Sequence, residues 1–167
     1  CLRKVISKNI DMEKFMEALR ESYRSGWRRV KLYFMIGLPT EQEEDLENIV
    51  KLIYKVSNLK REIDGKDAQV TASINAFIPK PHTPFQWEAQ DSVGQIVDKQ
   101  KRLMGLLRNF EFRWHKPQMS AMEGVFARGD RRLGRVIYNA WRKGCKFDHW
   151  KEKFNYGLWE QAFRECG

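Results

Sequence analysis

Polar side chains recur at every second position of two otherwise apolar runs. Lys31, Tyr33 and Met35 alternate with Val30, Leu32, Phe34 and Ile36, and Thr71, Ser73, Asn75 and Phe77 alternate with Val70, Ala72, Ile74 and Ala76. In an extended chain successive side chains point to opposite faces, so each run has one apolar and one mixed face. Lys31, Ser73 and Asn75 are costly in a dry core without partners, which points to a hydrated or ligand-filled interior on that side. An ordinary sheet with one solvent-facing side accounts for the same alternation.

Three other groups carry chemical potential. His82, between Pro81 and Pro84, has the pKa range of a general acid or base, though a solvated loop histidine satisfies the same sequence. Cys145 and His149 stand four apart, half of a metal site, but no second pair accompanies them and no metal is assigned. Glu41 is read as a first-turn carboxylate favoured by the helix dipole rather than as a ligand contact.

The elements that position these residues follow from period and punctuation. Asp11 caps a helix with the stripe Met12, Phe15, Met16, Leu19 and Tyr23, and Gly26 stops it. Val30 to Ile36 is a short buried strand, ended by Gly37-Leu38-Pro39. Thr40 with Glu43 reads as a capping box opening a helix through Leu46, Ile49, Val50, Ile53 and Val56 to about Leu59. Val70 to Ile78 is the next strand, closed by Pro79 and Pro81. Ser92 with Gln95 opens a third helix through Val93, Ile96, Val97, Leu103, Met104 and Leu107. Helix, strand, helix, strand, helix implies parallel strands in an α/β fold, whose ligands gather at the carboxyl edge.

Composition bounds the rest. The chain has 167 residues, 42% of them hydrophobic, enough for a core. No run approaches the ~20 apolar residues that span a bilayer. Three irregularly spaced cysteines argue against a disulfide framework and fit a reducing cytoplasm. A start at Cys1 without Met suggests a piece of something longer. Residues 112–167 carry twelve Lys+Arg against six Asp+Glu and hold eleven of the 21 aromatics, so a boundary is placed there: 1–111, then a basic, aromatic-rich helical extension, 112–167. Ser120 with Glu123, Asp130 and Asp148 read as helix starts in this extension, and Gly144 as a stop. Trp141, Trp150, Trp159 and Phe163 among basic residues are read chiefly as core, an RNA-binding surface being the rival.

Phe34-Met35-Ile36-Gly37-Leu38-Pro39-Thr40-Glu41 resembles the fifth strand and turn of radical S-adenosylmethionine enzymes. Phe77-Ile78-Pro79-Lys80-Pro81-His82-Thr83-Pro84-Phe85-Gln86-Trp87 resembles the sixth-strand exit of a branch often fused to a cobalamin-binding domain. Leu2-Arg3-Lys4-Val5-Ile6 is similar to the segment after the fourth strand, and Glu123-Gly124-Val125-Phe126-Ala127-Arg128-Gly129-Asp130-Arg131-Arg132-Leu133-Gly134 to that branch's downstream region. The resemblance implies the C-terminal portion of a partial (β/α) barrel. It also implies a parent enzyme that cleaves S-adenosylmethionine reductively to a 5'-deoxyadenosyl radical, using a [4Fe-4S] cluster and in some members cobalamin.

Under that resemblance Met35 packs on the adenine, Gly37 allows close backbone approach, and Phe77 and Ile78 supply backbone groups to the adenine. Lys31, Tyr33, Ser73, Asn75 and His82 are the cavity-facing candidates. The family's Cys-x3-Cys-x2-Cys is missing from this sequence, so the isolated chain is expected to lack iron and to be inactive. Its expected partners are the rest of the parent polypeptide and, in isolation, a second copy through the exposed barrel edge. The alternative is an RNA-binding or structural helical module appended to an α/β domain.

Overall fold

A computed structural model describes residues 10–150 and 152–166, which form two compact units. Cys1 and the Leu2 to Ile6 resemblance lie outside the described residues. The first unit comprises residues 10–77 with Gly94–His115, and the second Ile78–Val93 with residues 116–166. The compositional boundary near residue 111 falls inside a strand.

In the first unit, helix α1 (Met12–Arg24) begins where expected, because the Glu13 and Lys14 amides donate to Asp11 Oδ1 at 3.0 and 3.2 Å. It buries Met16, Leu19 and Tyr23 and ends at Gly26, whose φ is 91°. Strand β1 (Arg29–Ile36) leads to α2 (Glu43–Asp64). The capping residues of α2 differ from the expected pair: Thr40 lies outside the helix at φ 67°, and the Gln42 amide donates to Asp45 Oδ2 at 3.1 Å. The helix also runs five residues past Leu59, since Ile63 continues the stripe onto the core, and Gly65 then closes it in the left-handed region.

Strand β2 (Gln69–Ala76) pairs parallel with β1 over all eight residues, Val30 opposite Val70 and Ile36 opposite Ala76. It ends two residues before the expected Ile78. Helix α3 (Val93–Leu106) then returns the chain to β3 (Glu111–Trp114), a strand not expected from the sequence, which pairs parallel with β2 to complete the order β1-β2-β3. The described residues thus form an α/β fold with a three-stranded parallel sheet.

One face of that sheet is the core: Leu32, Ile36, Val70, Ala72 and Ile74 are buried with Leu46, Ile53, Val56, Leu103 and Leu107, and Phe112 stacks on Trp114 against them. Burying such side chains contributes about 1.5–3 kcal/mol each, which sets the strand register, because a one-residue slip would turn all of them to water.

The second unit contains α4 (Pro117–Arg128), α5 (Leu133–Arg142) and α6 (Tyr156–Cys166). Ser120 does not start a helix; α4 begins at Pro117, whose missing N–H is harmless in the first turn, and Ser120 is buried within it. Asp130 does prepare α5, accepting from the Arg132 amide at 2.8 Å, and Gly144 at φ 100° follows its end. Asp148 sits in a turn and opens no helix. Met122, Val136, Ala140, Cys145, Trp159 and Ala162 form this unit's core. Among the described residues no helix is long and apolar enough to cross a membrane.

Candidate functional site

The outer face of the sheet gathers most of the polar positions singled out from the sequence. Register places Lys31 opposite Thr71, Tyr33 opposite Ser73 and Met35 opposite Asn75, with Glu111 beyond Thr71 and Arg113 beyond Ser73. Tyr33 is 70% exposed and Met35 38%, whereas Ser73, in the middle strand, is buried. Lys31 Nζ lies 4.8 Å from the centre of the Tyr33 ring, a cation–π contact on an open surface. Thr71 Oγ1 donates to Glu111 Oε2 at 3.1 Å and Arg113 Nε donates to Glu111 Oε1 at 3.1 Å. The Arg113 hydrogen bond, aided by that of Thr71, holds the Glu111 carboxyl below its usual range. This face is a hydrogen-bonded polar surface rather than a dry core.

At the carboxyl end of β1 the turn is held by Glu41, a residue whose role its sequence neighbours understate. Gly37, at φ 78°, donates its N–H to Glu41 Oε2 at 2.9 Å, and Lys99 Nζ of α3 donates to Glu41 Oε1 at 2.6 Å. The Glu41 side chain is only 3% exposed, so its charge is held by two donors rather than by water. Glu41 also precedes α2, so the helix-dipole role expected of it is replaced by this bridge. Its partner is 58 positions away, and no local pattern announces it.

The carboxyl end of β2 continues the edge. Phe77 is buried and its N–H donates to Ile36 O at 2.7 Å, extending the ladder one residue beyond the strand. Met35, Gly37, Phe77, Lys31, Tyr33, Ser73 and Asn75 therefore belong to one unit, with Met35, Gly37, Asn75 and Phe77 near its carboxyl edge.

Ile78 and His82 belong to the second unit. There the proline-rich run packs on α4: Lys80 Nζ pairs with Glu123 Oε1 at 2.5 Å, Gln90 Nε2 donates to Ser120 O at 2.8 Å and Arg128 Nη1 to Glu88 O at 3.1 Å. His82 is exposed at φ 59°, its N–H directed at Gln86 Oε1.

The two described cysteines, Cys145 and Cys166, are both free. Cys145 is a core residue whose thiol is pushed up by burial and by Asp148, His149 is exposed in a turn rather than one helical turn away, and Cys166 Sγ accepts from Asn139 Nδ2 at 3.2 Å. Among the described residues no three His, Cys, Asp or Glu side chains converge to hold a metal ion.

The tryptophans separate into two kinds. Trp159 is core, meeting Phe126 edge-on at 5.4 Å, but Trp141 and Trp150 are each 53% exposed, so for these two the core expectation fails. On α5 the buried stripe is Val136 and Ala140, which turns Trp141 outward.

No family model matches the chain, and no solved structure matches it. It is similar to an uncharacterised protein of Methanocaldococcus jannaschii, with 35% identity over 138 residues. That match takes in 81% of this chain but only 29% of the relative's length.

Proposed function

We propose that this chain is the C-terminal portion of the partial barrel of a radical S-adenosylmethionine enzyme and supplies part of the cosubstrate and substrate pocket. The observation that carries the reading is the carboxyl edge of the β1–β2 pair. A polar, in-register outer face, Tyr33 with Ser73 and Met35 with Asn75, ends at a glycine turn clamped by the buried Glu41. Parallel α/β sheets bind ligands at that edge. Gly37 offers no Cβ to an approaching nucleoside, and the exposed Met35 offers an adaptable apolar surface to a purine. Adenine recognition at Phe77 does not use its N–H, which is spent on Ile36 O.

The described cysteines do not fit an iron–sulfur cluster. A cluster needs clustered thiolates, and Cys145 and Cys166 are individually built into the helical core and its edge. In this reading the cluster, any cobalamin and the one-electron cleavage of S-adenosylmethionine belong to the rest of a longer polypeptide. That polypeptide would add its preceding strand to β1, which among the described residues has β2 as its sole neighbour.

The test on the chain itself is a titration with S-adenosylmethionine followed by backbone amide NMR. The reading expects shifts concentrated at Tyr33 to Gly37 and Asn75 to Phe77. Saturating millimolar ligand with no shifts there would contradict it.

A further inference from the structure

The exposed aromatics of the second unit come with a long run of positive charge. From Arg131 to Phe147 there are six Lys+Arg and no Asp or Glu. Arg132 is paired with Asp130 and Lys143 with Glu165, but among the described residues Arg131, Arg135, Arg142 and Lys146 have no carboxylate partner.

Between these cations the rings lie open to solvent. Tyr138 is 57% exposed, Trp141 53% and Ile137 47%, and the Tyr138 and Trp141 rings are stacked at 5.9 Å with 30° between their planes. Arg142 lies 6.0 Å from the centre of the Tyr138 ring and Lys146 5.7 Å from that of Trp141. A second stacked pair follows on the next turn of chain, Phe147 69% exposed and Trp150 53%, 5.5 Å apart at 21°.

We propose that this face, centred on Tyr138 and Trp141 and rimmed by Arg135, Arg142 and Lys146, binds single-stranded nucleic acid. Unpaired bases stack on exposed aromatic rings regardless of sequence, and the unpaired cations meet the phosphates between them. A duplex presents its bases already stacked and cannot use the rings. An apolar protein partner would use the rings but would leave three cations desolvated opposite it, which costs affinity unless that partner is acidic. The alternation of rings with uncompensated cations therefore favours a single-stranded polyanion with aromatic bases.

The test uses the full chain and fluorescein-labelled twelve-residue oligouridine, oligothymidine and an RNA duplex, read by anisotropy, with light scattering on the protein alone. The expected result is binding of a single strand well above the duplex, the two single-stranded probes showing which sugar is preferred. Its affinity should fall with salt at a log–log slope of about −2, from ~0.7 per phosphate neutralised by these three cations. Trp141→Ala and Tyr138→Ala should each weaken binding roughly tenfold, without change in circular dichroism. Arg135→Gln with Arg142→Gln should instead lower the magnitude of the salt slope by about 1.4.

Equal affinity for the duplex, with Trp141→Ala silent, would overturn the proposal by reducing the face to unspecific charge. So would absence of nucleic-acid binding together with a self-association that Trp141→Ala abolishes, since the face would then join copies of the protein.

Discussion

In the sheet unit several charges are held in pairs. Glu41 meets Lys99 and the Gly37 amide, Glu111 meets Arg113 and Thr71, and Arg102 reaches both Glu43 and Glu47. Along α5 and its flanks, Arg131, Arg135, Arg142 and Lys146 lack a carboxylate partner among the described residues, and the last two have rings beside them instead. Paired charge fixes geometry: it holds a glycine turn at the edge of a sheet. Unpaired charge beside exposed rings fixes no internal geometry, and under the proposal above it is used on contact with a nucleic acid. The same residue types thus stand in two arrangements, one that holds a backbone turn at Glu41 and one that lies open along α5.

The contrast between buried and presented rings gives the largest expected effect. Trp159→Ala should lower unfolding stability by about 3–5 kcal/mol, as for other large-to-small core changes. Trp141→Ala, on the same unit, should stay within about 0.5 kcal/mol. Urea denaturation followed by circular dichroism measures both, and comparable losses would place Trp141 in the core and erase the comparison.

Next is the clamp. Glu41→Ala removes the acceptor that the Gly37 amide and Lys99 share at this turn, and should cost about 2–3 kcal/mol, as for a part-buried donor left unsatisfied and a charged hydrogen bond lost. Glu41→Gln keeps an acceptor for Gly37 and should recover part of that loss. If both variants are neutral, the turn is not held by this carboxylate.

Gly37→Ala tests the same turn from the backbone side. A Cβ at φ 78° should cost about 1–2 kcal/mol, whereas Gly134→Ala, within α5 and with open space where its Cβ would lie, should be neutral or slightly stabilising. The same urea titrations read both, and equal effects would remove the backbone argument for Gly37.

The smallest effect at neutral pH is Tyr23→Phe, which removes one hydrogen bond to Val56 O, worth about 1 kcal/mol. Its pH dependence is more telling. Burial pushes the Tyr23 phenol up from 10.0 to about 12, so the unfolded chain loses this proton before the folded one does. The contribution is intact below pH 10 and is lost as pH rises toward about 12. Denaturation midpoints across that window should fall more steeply for the natural sequence than for Tyr23→Phe.

Much of the sheet unit is written in local pattern. Alternation separates core from polar face cleanly at Val30 to Ile36, whose polar positions are exposed, and less cleanly at Val70 to Ala76, where Ser73 of the middle strand is buried as well. Asp11 and Gly26 bound α1 through interactions within a few positions of themselves. What escapes such reading depends on distance or brevity. Glu41 gains its meaning from Lys99, and β3 has only four residues, two per face, too few to show a period. The exposure of Trp141 escapes for another reason. Helix α5 carries two apolar stripes, Val136 with Ala140 and Ile137 with Tyr138 and Trp141; spacing says which residues share a face, and only packing says which face is covered.

The most direct test of the proposed function uses the full-length relative from Methanocaldococcus jannaschii, of which this chain matches 29%. Purified without oxygen and supplied with iron, sulfide, dithionite and S-adenosylmethionine, it should bind iron with thiolate charge-transfer absorbance and release 5'-deoxyadenosine. The present chain, treated identically, should do neither. A folded full-length relative that takes up no iron and forms no 5'-deoxyadenosine would contradict the account.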